Sequence, residues 1–354
     1  VVPVTARPIA HGAVLVDAAG RLAAVGHEAD VPRPDDAAAQ DLGDVALLPG
    51  LVNTHTHLEL MALRGLVSGT AFTRWIMTIR RIKDGLPPGS FRAAARWGVL
   101  ESFAHGITTI GDTGSTGEAA RAMADLGARG VAYQEVFGPD PARLGASLAL
   151  LEDALRALQP CESKRVAVGI SPHAPYTVSE PLLAAVAQRA DREQRRVAMH
   201  VGESAEERMF VEEGRGPFAD QLRGRGIPVA AHGVSPIAWA LRGGLAAVQP
   251  LLIHCVRGDQ HDFEAAARCG ASIAHCPWSN QLLGNGRAPL QLMKDSGVNV
   301  GVGTDSVAAG NTFDLFAEQR LAAMGAALTP NERLRLITAA AADALGIADT
   351  GRLA

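Results

Sequence analysis

Eight short apolar runs recur along this chain, at residues 45–52, 106–110, 131–137, 166–170, 197–200, 251–254, 271–275 and 298–303. Each has the length and the β-branched content of a buried strand, and nearly every one leads into a histidine or a carboxylate. Between them lie Ala-, Leu- and Arg-rich stretches of helical character, among them residues 91–105, 142–158 and 263–269. Strand and helix alternating from residue 47 onward predict an α/β fold, a distorted (β/α)8 TIM barrel. A doubly wound sheet is the alternative. It ranks lower because the chain has no Gly-rich phosphate loop and because polar residues gather at the ends of so many runs.

In a barrel of this kind, working side chains come from the C-terminal ends of different strands. The first run ends in Asn53-Thr54-His55-Thr56-His57. Alternate side chains on a strand share a face, so His55 and His57 point the same way. His173, His200, His254, His275 and Asp305 close five of the later runs. A single histidine at any of these places is as readily a core residue as a ligand. The joint pattern points to a metal site. Histidines with one carboxylate form a nitrogen-rich set that suits Zn²⁺ and leaves a coordination position open.

Bulk properties exclude other classes. A net charge of -4 with a sequence pI near 6.3 gives no basic field for nucleic acid. No apolar run is long enough to span a bilayer, and the N-terminus does not read as a signal peptide. Cys161, Cys255, Cys269 and Cys276 form no C-x-x-C pair. Reduced thiols in a cytoplasmic protein are the expectation. Residues 1–47 read as a small β element, residues 48–345 as the barrel and residues 346–354 as a tail. Residues 70–89 and 215–248 exceed ordinary connections and read as loop-like or short-helical insertions serving binding. The apolar stretch 63–82 is a candidate face for a homodimer.

PGLVNTHTH, HVGE, LIHC, AHCPWSN and GTDS, in that order, resemble the amidohydrolase superfamily over residues 47–311. The resemblance is to the branch of mononuclear deaminases and triazine chlorohydrolases. It implies one divalent metal, Zn²⁺ with Fe²⁺ as the alternative, held by His55, His57, His200 and Asp305. It makes Glu203 the proton shuttle and places His254 beside the attacking water or the substrate. His173 resembles a purine contact of the adenosine-type members. Binuclear relatives use a carboxylated lysine on the fourth strand. VAVGISPHAP has none, so a single metal is expected. Glu135 on the third strand is the one residue able to bridge in its place, and it reads as a structural or supporting carboxylate.

The chemistry agrees with these roles. Zn²⁺ lowers the pKa of its water to about 7. Deamination of an aminopurine then needs a proton delivered to the ring nitrogen and another to departing ammonia, which suits a carboxyl three residues from a ligand. The resemblance implies a 5′-modified adenine nucleoside as substrate. 6-Aminodeoxyfutalosine, from the alternative menaquinone route, is favoured over methylthioadenosine, S-adenosylhomocysteine and adenosine. Guanine- or cytosine-type deamination and triazine dechlorination use the same metal set, and a non-catalytic ligand-binding barrel is the reading from another class. Glu59 reads as a substrate contact or as a carboxylate supporting the site from behind, and Trp75 as a pocket wall or a packing residue. The family continues beyond a segment like residues 350–353 into strands of a small β-sandwich, so that element is expected to be short here or truncated.

Overall fold

The computed structural model describes residues 1–67, 71–309 and 312–353. Strands β1 (Gly12–Val16) and β2 (Leu22–His27) form an antiparallel ribbon. The remaining strands are β3 (Leu51–Thr56), β4 (Ile107–Gly114), β5 (Arg129–Val136), β6 (Val166–Pro172), β7 (Ala198–Val201), β8 (Leu251–His254), β9 (Ser272–His275) and β10 (Asn299–Val302). They form two four-stranded parallel sheets, ordered β3-β4-β5-β6 and β10-β9-β8-β7. Parallel neighbours require crossovers, and helices such as Ser90–Ala104, Leu144–Leu158 and Glu180–Glu193 supply them. Single parallel bridges connect the sheets. Ile170 meets Val197 beside β7, and Thr56 meets Asp305 just past β10.

Two sets of apolar side chains fill the interior. One lies between strands and outer helices and includes Ile107, Ile110, Val168, Leu182, Val186 and Phe263. The other draws on strands of both sheets: Val52, Val131, Tyr133, Ala198, Leu251, Ile253 and Ala274 pack with Ala341 and Leu345 at the helix Ala339–Ala344. Strands buried on both faces explain why the sequence shows continuous apolar runs here instead of alternation. All six residues of β3 are buried.

Three expectations need correction. The first strand begins at Leu51, not Val45. Val45 is 59% exposed, Pro49 has no N–H for a ladder, and a Cβ on Gly50 would stand 2.2 Å from Thr108 Oγ1. The strand therefore runs through His55. Of the two readings for the insertion starting near residue 70 the helical one holds, but the helix is not short: it runs for 13 residues, Phe72–Asp84; Thr70 itself lies outside the described residues. The N-terminal region contributes one two-stranded ribbon among the described residues, not a sandwich of two sheets. A backbone bond ties that region to the C-terminal end, from Leu353 N to Pro3 O (3.3 Å), and another joins its own ends, from Val2 N to Leu47 O (2.9 Å). No helix among the described residues is long and apolar enough to cross a membrane.

Candidate metal centre and substrate cavity

Strand ends carry the site. His55 lies on β3, His57 just beyond it, His200 on β7, His254 at the end of β8 and Asp305 past β10. His55 Nε2 is 3.3 Å from Asp305 Oδ1, and His57 Nε2 is 3.5 Å from the same oxygen. His200 Nε2 lies 3.3 Å from His57 Nε2. The ligand atoms of His55, His57 and His200 fall within 4.8 Å of one another, as do those of His55, His254 and Asp305.

The backbone aims these groups. Asn53 holds the ends of β3 and β10 together, its Nδ2 donating to Thr304 Oγ1 (2.8 Å) while its Oδ1 accepts from Thr304 N (3.0 Å). Asp305 N donates to His55 O at 3.0 Å. Gly303 makes this approach feasible, because a Cβ there would stand 2.7 Å from both the N and the O of His55. His254, Cys255 and Asp305 adopt φ values of +73°, +51° and +56°. A residue with a side chain costs roughly 1–3 kcal/mol in such a conformation, and this strain collects where the strand ends meet the cavity.

Hydrogen bonds fix the imidazole tautomers. His57 Nδ1 donates to Thr113 O (2.8 Å) and His200 Nδ1 to His173 O (3.1 Å), which leaves both Nε2 lone pairs facing inward. His55 Nδ1 is buried without a hydrogen-bond partner among the described residues. Burial lowers the pKa of His55 and drives that of His200 far below its ordinary value. Burial pushes the Asp305 carboxyl up, but the surrounding imidazoles of His55, His254 and His57 hold it well below the usual carboxylate range. Three imidazoles and one carboxylate converging in a buried space form a His3Asp set that fits a divalent cation.

A second layer surrounds this set. Ser279 Oγ donates to Asp305 Oδ2. His254 Nδ1 donates to Asn280 Oδ1 (2.9 Å), so its Nε2 faces the centre, 3.7 Å from Glu203 Oε1. Burial brings His254 down to about 3. Asn285 Nδ2 donates to Glu203 Oε1 at 3.0 Å. Burial, with the nearby Asp305 and Glu207 charges adding to it, raises Glu203 well above the ordinary carboxyl value, which favours its protonated form.

Beside this centre opens a cavity of about 630 Å³. Phe72, Trp75, Ile76 and Ile79 from the helix Phe72–Asp84 form one wall, and Tyr176, Phe218 and Leu222 form another. Tyr176 and Phe218 stack with ring centroids 3.9 Å apart. Trp75 combines both roles weighed for it: it faces the cavity, is buried, and directs Nε1 toward Ala308 O at 3.5 Å. His173 lines the cavity too. Glu59 does not. Its oxygens accept from Lys83 Nζ (3.0 Å), Ser115 N (3.2 Å), Thr116 N (3.1 Å) and Thr116 Oγ1 (2.6 Å), behind the wall. His275 is buried with neither ring nitrogen hydrogen-bonded among the described residues, and Asp112 accepts from Leu58 N (2.6 Å) under the first strand.

Sequence reasoning did not single out Lys83, Asn285, Tyr176 or Glu207. Asn285 sits in Gly284-Asn285-Gly286, which reads as an ordinary turn. Glu207 accepts from Gly202 N (2.7 Å) and Glu203 N (2.9 Å), bracing the loop that carries Glu203.

Comparison with known proteins agrees with this geometry. The Amidohydrolase family profile matches residues 46–354. A 5-methylthioadenosine/S-adenosylhomocysteine deaminase of Desulfitobacterium hafniense is 31% identical over 329 residues, covering 89% of this chain and 71% of the relative. A zinc-bound adenosine deaminase from Xanthomonas campestris superposes with a TM-score of 0.82 at 26% identity, covering 99% of this chain and 80% of that one. Aminofutalosine deaminase of Helicobacter pylori shares the fold, with a TM-score of 0.73 at 20% identity over 86% of this chain and 75% of that one. The chain belongs to the amidohydrolase family and is an enzyme of its hydrolytic deaminase kind.

Proposed function

We propose that this enzyme hydrolyses the 6-amino group from a 5′-modified adenine nucleoside and releases ammonia. Methylthioadenosine and S-adenosylhomocysteine stand first, ahead of 6-aminodeoxyfutalosine and adenosine. The observation that carries the reading is the buried Glu203 carboxyl, 3.7 Å from His254 Nε2, on the wall of a cavity that His57, His200 and Asp305 also line. The thioether nucleosides gain from the 31% identical relative and from the cavity itself. Phe72, Trp75, Ile76, Phe218 and Leu222 offer an apolar wall to a hydrophobic 5′ substituent. The two sheets are read as one distorted (β/α)8 barrel over residues 48–345, since side chains from both share an interior cluster.

His55, His57, His200 and Asp305 would hold one metal ion, with Zn²⁺ preferred for a nitrogen-rich donor set. When bound, such an ion acts as a Lewis acid that makes water nucleophilic near neutral pH. Asp305 accepts the proton that water gives up. His254, with its Nδ1–H committed to Asn280, turns the Nε2 lone pair to the reacting centre and orients the attacking water. Glu203 donates its proton to the purine nitrogen beside the attacked carbon, which draws electron density away from that carbon. As the carbonyl forms, the proton of the added hydroxyl passes through Glu203 to the departing amine, and the proton taken up by Asp305 returns Glu203 to its starting state. Burial, which raises the Glu203 carboxyl, favours the protonated form that the first of these steps needs.

The test is ammonia release by Zn²⁺-loaded protein from methylthioadenosine, S-adenosylhomocysteine, aminodeoxyfutalosine, adenosine, guanine and a chlorotriazine. Turnover of the 5′-modified adenosines is expected, fastest for the thioethers. Chloride release from the triazine, with every nucleoside inert, would overturn the proposal.

A further inference from the structure

The two carboxyl oxygens of Glu203 stand in different surroundings. Oε1 accepts from Asn285 Nδ2 at 3.0 Å. His254 Nε2, 3.7 Å from the same oxygen, is beyond hydrogen-bond reach. Oε2 has no hydrogen-bond partner among the described residues, and Glu203 borders the cavity. An amide N–H can only donate, so Oε1 presents a lone pair whenever the Asn285 bond is made. In a neutral carboxyl the carbonyl oxygen is the stronger acceptor. The acid proton therefore belongs on Oε2, the oxygen left for a ligand.

Backbone bonds hold Asn285 in place, and its side chain is left for Glu203. Asn285 is 3% exposed and sits between Gly284 and Gly286, whose φ values are +73° and +104°. Its N–H donates to Asn280 O (2.9 Å), and its carbonyl accepts from Arg257 Nη2 (2.7 Å). Arg257 N donates in turn to Gly202 O (2.8 Å), one residue before Glu203. The loops after β7, β8 and β9 therefore meet here. Asn280 also accepts from His254 Nδ1, so one residue aims both His254 and Asn285. With Glu207 accepting from Gly202 N and Glu203 N, the Glu203 backbone is held from both sides. Swinging of the carboxyl is the freedom that remains, and the Asn285 amide restrains it. The same bond opposes the upward push of burial on Glu203, because an N–H donor favours the ionised carboxyl that forms when the proton is given up.

Resting on the deaminase reading above, we infer that Asn285 is a positioning residue for proton transfer: its amide keeps Glu203 Oε1 as an acceptor and makes Oε2 the oxygen that hands the proton to the purine nitrogen. It acts through Glu203. A carboxyl that gives up a proton and regains it in each cycle has to return to one geometry, and a misplacement of about 1 Å in such a group costs on the order of 100-fold in rate.

The experiment compares Zn²⁺-loaded wild type, Asn285→Ala and Asn285→Asp on methylthioadenosine between about pH 5.5 and 8.5. Each protein is first checked for metal content and circular dichroism. Neither substitution removes the backbone groups that bond Asn280 and Arg257, and Asn285→Asp keeps the size of the side chain. Asn285→Ala is expected to lower kcat roughly 10- to 100-fold, with KM and metal content within about threefold of wild type. In Asn285→Asp the introduced carboxyl offers Glu203 a donor only while it is protonated, and two carboxyls so close hold one proton between them at neutral pH. Its kcat is therefore expected to approach the wild-type value at the acid end and to fall away at least about one pH unit earlier than wild type. Asn285→Ala is expected to show no such recovery in acid. Wild-type kcat in a folded, metal-loaded Asn285→Ala would overturn the inference and leave the deaminase intact. So would equal losses in both variants at every pH, the result of a side chain that only closes the loop. If Asn285→Ala fails to fold, the pH profile of Asn285→Asp decides alone. Failure of the wild type to deaminate any adenine nucleoside would overturn the substrate reading, and this role with it.

Discussion

At the scale of single residues, two buried carboxyls are shifted in opposite directions. Burial raises Glu203, while the imidazoles around Asp305 lower that carboxyl. Two carboxyls pushed in opposite directions can give and take protons in one cycle. Glu203→Gln is expected to retain stoichiometric metal and nucleoside binding yet lose roughly 10²–10⁴-fold in kcat. Metal analysis with steady-state kinetics checks this, and turnover within a few-fold of wild type would remove Glu203 from the proton path. Asp305→Ala is expected to lose both metal occupancy and rate, and a fully loaded Asp305→Ala would deny it a ligand's place. The histidines were legible in the sequence because each follows an apolar run, and a strand end in a parallel α/β fold is where working residues stand. Asn285 and Lys83 were not, since one looks like a turn residue and the other like a solvated helix lysine until folding brings them to Glu203 and Glu59.

At the scale of elements, the loop after β7 depends on Glu207. Its carboxyl, pushed up by burial to about 7, accepts the N–H groups of Gly202 and Glu203. A folded pKa above the unfolded one means the native state binds the extra proton, so the stability from this group is present at low pH. It is lost as pH rises from the unfolded value through about 7, by about 3 kcal/mol in all. Denaturant titrations at pH 5 and pH 8 are expected to show this fall in wild type and a smaller one in Glu207→Gln; equal slopes would refute it. Gly303 is a second element-level constraint. Gly303→Ala pushes a methyl against the His55 backbone and is expected to cost about 1–3 kcal/mol and to weaken metal binding. The full length of the helix Phe72–Asp84 was not legible for a local reason. Its N-cap is Ala71, no side chain caps it and no acid stands in its first turn, so the usual start signals are missing. The first strand was misplaced because residues 45–48 are apolar but sit before Pro49, where no ladder bond is available.

For the molecule as a whole, the metal set joins β3, β7 and the segment beyond β10, so the ion would link both sheets. Lone pairs facing one another across 3.3–3.5 Å repel until a cation lies between them. Chelation is therefore expected to lower Tm as well as abolish activity. Re-adding Zn²⁺ to 100 times its Kd would restore about 2.7 kcal/mol. An unchanged Tm on chelation, followed by calorimetry, would argue against a linking role. The alternation of strand and helix was readable across the chain because it is a local pattern of burial. The cavity was not, since its walls come from residues 72–84, 173–176 and 217–222, which only packing brings together.

The central claim is that water replaces the 6-amino group at a carbon of the purine. Turnover of methylthioadenosine by Zn²⁺-loaded protein in heavy-oxygen water, with mass analysis of the product, tests it most directly. The expected product is a 6-oxo nucleoside carrying one heavy oxygen, with the sugar bond intact, ammonia released in equal amount, and all three signals lost in Glu203→Gln. Free adenine as product, or no turnover by fully metal-loaded wild-type enzyme, would contradict it.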